Sequence, residues 1–102
     1  MCFVHALLNA LDLQENGYDV RLIIEGSATK QIKELPLADS PFSKMYGKVK
    51  SAGLIDCVCK ACANQMGVLQ EAEEQQLPIC NEMSGHPSMS KYIEAGYEVI
   101  AL

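Results

Sequence analysis

A glycine recurs in this chain at the joint between a helical pattern and a short apolar run. Asn16-Gly17 precedes Tyr18 to Ile24, Ala52-Gly53 precedes Leu54 to Cys59, and Ala95-Gly96 precedes Tyr97 to Leu102. Gln76-Leu77-Pro78-Ile79-Cys80 fills the same slot between the last two, with Gln76 where a glycine is expected. Glycine suits the left-handed position just past a helix C-terminus, so each joint reads as helix, cap and strand. Helices alternating with apolar strands specify a parallel sheet joined by right-handed crossovers. The runs are too apolar to leave a wet face, so helices are expected on both sides. The predicted fold class is α/β, with strands near Tyr18–Ile24, Leu54–Cys59, Leu77–Cys80 and Tyr97–Ala101.

The segments between the strands carry helical periodicity. Residues 2 to 15 place Phe3, Val4, Leu7, Leu8 and Leu11 on one face and His5, Asn9 and Asp12 on the other. A second helix, roughly Ser27 to Leu35, carries Ala28, Ile32 and Leu35 inward and ends before Pro36. A third starts with Ser40 as N-cap and Pro41 at the first helical position, burying Phe42, Met45, Tyr46 and Val49. Beyond Cys59, residues Cys62, Met66, Leu69 and Ala72 share one side of a helical period. Pro87 opens the last helix, which buries Met89, Tyr92 and Ile93. One feature breaks the pattern: an α/β domain of this kind normally opens with a strand, and this chain opens with a helix.

Composition limits the partners. The 102 residues make one domain, and 49% of them are apolar, which points to apolar area covered by another subunit. A net charge of −5 argues against nucleic acid or an anionic membrane. Lys44, Lys48 and Lys50 fall at helical spacing with no aromatic platform, as on a solvated helix face. No segment approaches the ~20 apolar residues that span a bilayer, and no signal-peptide pattern opens the chain. With a cytoplasmic setting expected, the five cysteines (Cys2, Cys57, Cys59, Cys62 and Cys80) are read as reduced thiols with a chemical or metal-binding use, not as a disulfide framework.

The chemistry centres on Leu54 to Val68, where period two gives way to period 3.6 between Cys59 and Cys62. A strand that hands over directly to a helix ends at the carboxyl edge of the sheet, where ligands bind in open α/β folds. Cys59 therefore stands at a helix N-terminus, which favours negative charge and lowers a thiol pKa. Lys60 adds to that expectation, and Cys59 is expected to be exposed. The loops after successive strands meet at this edge, which gathers Cys2, His5, Cys59, Cys62 and His86 into one region. Cys62 reads equally as a packed core cysteine or a redox partner, and His86 equally as a loop residue or a catalytic one. Cys57 and Cys80 read as core, and His5 as solvated.

These residues resemble the DsrE/DsrF-like family. The resemblance runs from the first helix to Leu102. It is most specific at Val58-Cys59-Lys60-Ala61 with Gly67 eight residues after the cysteine, and at Gly85-His86-Pro87-Ser88-Met89 through Tyr97-Glu98-Val99-Ile100. It implies a flavodoxin-like parallel sheet with helices on both faces, the family's first strand being absent from this chain, so that residues 1–102 form a single domain truncated or mis-started at its N-terminus. Without that strand, Tyr18–Ile24 is expected either to stand beside a gap or to close directly onto Leu54–Cys59. In sulfur-relay members such a cysteine carries sulfur as a persulfide, and the resemblance transfers that role to Cys59, with no cofactor. It also implies a cytosolic trimer or hexamer with a protein sulfur donor or acceptor. The chain differs from relay members in having Cys62 in place of alanine and Gln65-Met66 in place of a basic pair.

Three functions stand side by side: a persulfide carrier or sulfurtransferase using Cys59, a dithiol redox protein using Cys59-x-x-Cys62, and a metal-binding or assembly module with ligands from Cys57, Cys59, Cys62, Cys80 and His86. The site residues singled out are Cys59, Cys62 and His86.

Overall fold

The computed structural model describes residues 3–37 and 41–101. The readings of Cys2 as a site residue and Ser40 as a helix cap lie outside them. In order, the elements are α1 (Phe3–Glu15), β1 (Leu22–Ile24), a 3-10 segment (Gly26–Lys30) that runs into α2 (Gln31–Glu34) and a further 3-10 turn (Leu35–Leu37), α3 (Pro41–Ser51), β2 (Ile55–Cys59), α4 (Lys60–Gln65), α5 (Leu69–Glu74), β3 (Ile79–Cys80) and α6 (Met89–Glu94). The three strands form a parallel sheet in the order β1-β2-β3, an α/β architecture compatible with the flavodoxin-like arrangement.

The helix ends follow the glycine rule closely. After α1, Tyr18 N–H donates to Leu13 C=O and Gly17 N–H to Gln14 C=O, both at 3.0 Å. The same pair of bonds closes the helices before Gly53, Gly67 and Gly96, satisfying carbonyls that would otherwise lack partners. Gln76 makes the same two bonds at 2.9 and 3.1 Å (Gln76 to Glu73, Leu77 to Ala72), with a φ of 60°. A side chain in that left-handed region costs about 1–2 kcal/mol. Gln76→Gly is therefore expected to raise stability by ~1 kcal/mol, read as a higher midpoint in urea unfolding with an unchanged slope.

Gly67 also explains a departure. The run Cys62, Met66, Leu69, Ala72 is not one helix, because Gly67 at a φ of 72° ends α4, and α5 begins at Leu69. Of that run only Ala72 joins the core, beside Ala63, Val68, Leu7, Ala10, Ile24, Ile32, Val49 and Val58, while Met66 and Leu69 pack against it half-buried. Burial of each large member contributes roughly 1.5–3 kcal/mol. Several stripe residues lie outside: Leu8, Phe42 and Ile93 are exposed. Along β2, Val58 enters this core while its neighbour Cys57 packs beside Tyr92 of α6. Successive strand residues point to opposite faces, so helices cover both faces of the sheet.

Three strand expectations change, the predicted Leu77–Cys80 strand shortening to β3 (Ile79–Cys80). The predicted Tyr18–Ile24 strand shrinks to β1, which closes directly onto β2 through Leu22↔Ile55, Ile23↔Cys57 and Ile24↔Val58, with a register shift after Leu22. Tyr97–Ala101 forms no strand. Instead it lines, with α1, the Tyr18–Ala28 segment and α6, a groove of about 1190 Å³. Ladder pairing needs a neighbouring backbone at ~4.8 Å, and side chains hold this segment instead: Tyr97 OH donates to Asp19 at 2.6 Å and accepts from Arg21 Nε at 2.8 Å. No helix among the described residues is long and apolar enough to cross a membrane.

Candidate functional site

Cys59 is both the last residue of β2 and the N-cap of α4. Its backbone is still extended (φ −64°, ψ 118°), which turns Sγ back over the helix start, where it accepts the Cys62 N–H at 3.4 Å. The capping role matches the sequence reading; the exposure does not. Cys59 is 0% exposed, and its burial pushes the thiol up from its ordinary value, against the lowering by the Cys62 and Ala61 N–H groups. The expected activation by a helix terminus alone is thus overturned. Lys60 is exposed, and the neighbouring Cys62 thiol pushes the Cys59 thiol up further.

The cover over Cys59 is the loop after β3. Met83 and His86 exchange backbone hydrogen bonds at 2.8 and 3.0 Å around Ser84 and Gly85, with φ values of 51° and 93°, the positive pair that a type I′ turn requires. Gly85 C=O accepts the Ala61 N–H at 2.8 Å, which fastens this turn to the first turn of α4. A Cβ on Gly85 would meet Ala61 Cβ at 3.2 Å, so the approach depends on a glycine. The turn delivers His86 Nδ1 to 3.2 Å from Cys59 Sγ, with Gly85 O at 3.7 Å. Neither Gly85 nor Ala61 was assigned this positioning role from sequence; the Ser-Gly-His run was the available signal, and its partner Ala61 lies too far along the chain to be paired with it.

Below His86 the loop is tied to α6. Glu82 accepts the Ser88 N–H at 3.1 Å and pairs with Lys91 at 2.6 Å. The Lys91 bond, then the Ser88 N–H, hold the Glu82 carboxyl down at about 2 from an ordinary 4.5. A depressed carboxyl contributes stability above its unfolded pKa and loses it as pH falls through the folded one. Anchoring of the His86 loop is therefore expected to be complete above about pH 4.5 and lost between there and about pH 2. Amide exchange of residues 82–88 across that window checks it, with Glu82→Gln expected to flatten the dependence.

Cys59, Cys62 and His86 come together: their ligand atoms all lie within 4.8 Å of one another, Cys62 and His86 being half-buried. The other expected members do not join. His5 is exposed on α1, its carbonyl accepting from Asn9. Cys57 and Cys80 are buried, as expected, but joined in a disulfide, which corrects the expectation of reduced thiols and removes both from the broader metal-ligand set. The cause is strand register: β2 and β3 pair Cys59 with Cys80, and the diagonal Cys57–Cys80 Cα separation of 5.6 Å suits a bridge. Beside it sits a polar cluster, in which Tyr92 OH donates to Asp56 and Arg21 approaches Asp56 at 3.6 Å. Burial and Asp56 push the Tyr92 hydroxyl up to about 12.

Chemically, the arrangement puts a base within hydrogen-bond reach of a buried thiol that burial alone keeps protonated, and a second thiol stands close enough to resolve or ligate.

Comparison with known proteins places the chain among relatives. The chain is 36% identical over 99 residues to an uncharacterized protein of Methanocaldococcus jannaschii, covering 97% of this chain and 78% of that protein. Two uncharacterized proteins of Archaeoglobus fulgidus match shorter stretches, 49% identical over 35 residues (34% of this chain, 95% of that protein) and 55% over 29 (28% and 48%). No solved structure matches. The model of the DsrE/DsrF-like family matches residues 4–102, and the chain belongs to that family.

Proposed function

We propose that this protein is a persulfide sulfur carrier acting through Cys59, in the manner of the family's sulfur-relay members. The observation that carries the reading is the 3.2 Å approach of His86 Nδ1 to Cys59 Sγ. His86 takes the Cys59 proton as the thiolate forms. The thiolate attacks the outer sulfur of a donor persulfide, forming Cys59–S–S⁻ and releasing the donor as its thiol or thiolate. Discharge is the reverse attack by an acceptor thiolate on the outer sulfur. The Cys62 N–H supports negative charge on the Cys59 sulfur in both directions. Because Cys59 is covered, entry and exit run past the half-buried Cys62 and His86. The reading includes a cytoplasmic setting, protein donors or acceptors, and self-assembly as a trimer or hexamer, for which exposed Leu8, Phe42, Ile93 and Ile100 supply apolar surface.

A second reading, dithiol redox chemistry, draws on the closeness of Cys62: its thiolate would displace hydrosulfide from a Cys59 persulfide and leave a Cys59–Cys62 disulfide. Loading with a low-molecular-weight persulfide followed by cyanolysis separates the two. A carrier yields about one thiocyanate per chain from the parent and from Cys62→Ser, and none from Cys59→Ser. Hydrosulfide release that requires Cys62 favours the redox reading.

A further inference from the structure

Three donors of soft-metal type converge on one point here from two separate stretches of chain. Cys59 and Cys62 come from the start of α4 and His86 from the turn after β3, with all three ligand atoms within 4.8 Å. Around a tetrahedral zinc with bonds of about 2.3 Å to sulfur and 2.0–2.1 Å to nitrogen, neighbouring ligand atoms lie roughly 3.5–3.8 Å apart. Cys59 Sγ and His86 Nδ1 already stand at 3.2 Å, so accommodating an ion asks for shifts of about an ångström at most. Cys62 and His86 are half-buried, while Cys59 is buried at the end of β2.

We propose that Cys59, Cys62 and His86 form an open, three-donor site for a single borderline-soft divalent cation of the zinc class. Two thiolates and an imidazole select Zn²⁺ over Mg²⁺ or Ca²⁺, which take oxygen ligands. Three protein donors leave a fourth position for water or an incoming thiolate, as in reactive zinc sites. The Cys62 N–H on Cys59 Sγ and the Ala61–Gly85 bond, which fixes the turn bearing His86, hold the donors in place. Binding is balanced by protons: one Zn²⁺ enters, the two thiols release two H⁺, and neutral His86 donates its Nδ1 lone pair. The disulfide keeps Cys57 and Cys80 out of the ligand set. Since Cys59 is also the proposed sulfur-carrying atom, metal and sulfur exclude one another, and the ion acts as a gate on the thiol. The site itself does not rest on the carrier reading.

The test is anaerobic titration of the full chain with Co²⁺ alone and then Zn²⁺ alone. The expected result is one Co²⁺ per chain with a thiolate-to-cobalt charge-transfer band and intense tetrahedral visible bands, displaced by one Zn²⁺. Buffer-dependent calorimetry is expected to find about two protons released per ion. Cys62→Ser is expected to weaken the charge-transfer band, and His86→Gln to shift the visible bands and lower affinity roughly 10- to 100-fold or more. The absence of stoichiometric binding, a spectrum without thiolate charge transfer, or affinity unchanged in both variants would overturn the site. Sulfur loading assayed with chelator present keeps the two proposals apart: metal binding without loading sinks the carrier alone, and loading without metal binding sinks the metal site alone.

Discussion

His86→Ala is expected to slow sulfur loading of Cys59 by roughly 100-fold or more at neutral pH, with the fold intact. Cys59 Sγ is fully covered, and its burial opposes ionisation, so few thiolates form unaided. His86 Nδ1 at 3.2 Å is the base within reach of that proton. In the parent, loading should therefore persist at neutral pH, because the proton passes to imidazole. In the variant the rate should climb only as pH rises above the ordinary thiol range, since the thiol is pushed up, and added imidazole should recover part of it. The measurement is the pseudo-first-order loading rate against pH, alongside circular dichroism to confirm folding. An unchanged profile would leave His86 as a loop residue only.

Removing the Cys57–Cys80 bridge is expected to have the largest effect on stability. The bridge closes a loop spanning 23 residues, and in the chain-entropy account such a closure contributes about 3 kcal/mol by restricting the unfolded chain. For a domain of this size that corresponds to a melting temperature lower by roughly 10–25 °C in Cys57→Ser/Cys80→Ser. Both cysteines are buried, so the serine hydroxyls add some cost of their own. Thermal unfolding of the double variant beside the parent, each with and without a reductant, checks the assignment. The parent should fall toward the variant when reduced, and the variant should not respond. A parent indifferent to reductant would mean that the bridge contributes nothing.

What the sequence revealed was mainly local. The cap glycines were legible because a left-handed residue past a helix is a demand on one position, and even Gln76 could be marked as the exception it proves to be, with its φ of 60°. The strand ending at Cys59 was legible from its apolar run, and topology alone brought His86 toward Cys59, since loops at one sheet edge must meet. Properties that depend on pairing between distant segments were not legible. The Cys57–Cys80 bridge follows from the register of β3 on β2, which no single segment encodes. The burial of Cys59 follows from the fit of Gly85 against Ala61, a contact between residues in different elements. Tyr97–Ala101 has strand composition but lines a groove in place of pairing, because β-propensity describes a surface to pack on and cannot supply one.

The most direct test of the account is peptide-mapped mass spectrometry after exposure of the parent protein to a low-molecular-weight persulfide. The expected result is the added mass of one sulfur atom on the peptide carrying Cys59, with the Cys57–Cys80 bridge intact and Cys62 unmodified. Sulfur on Cys62 in place of Cys59, or no added sulfur on any cysteine while Cys59 and Cys62 remain free thiols, would contradict it.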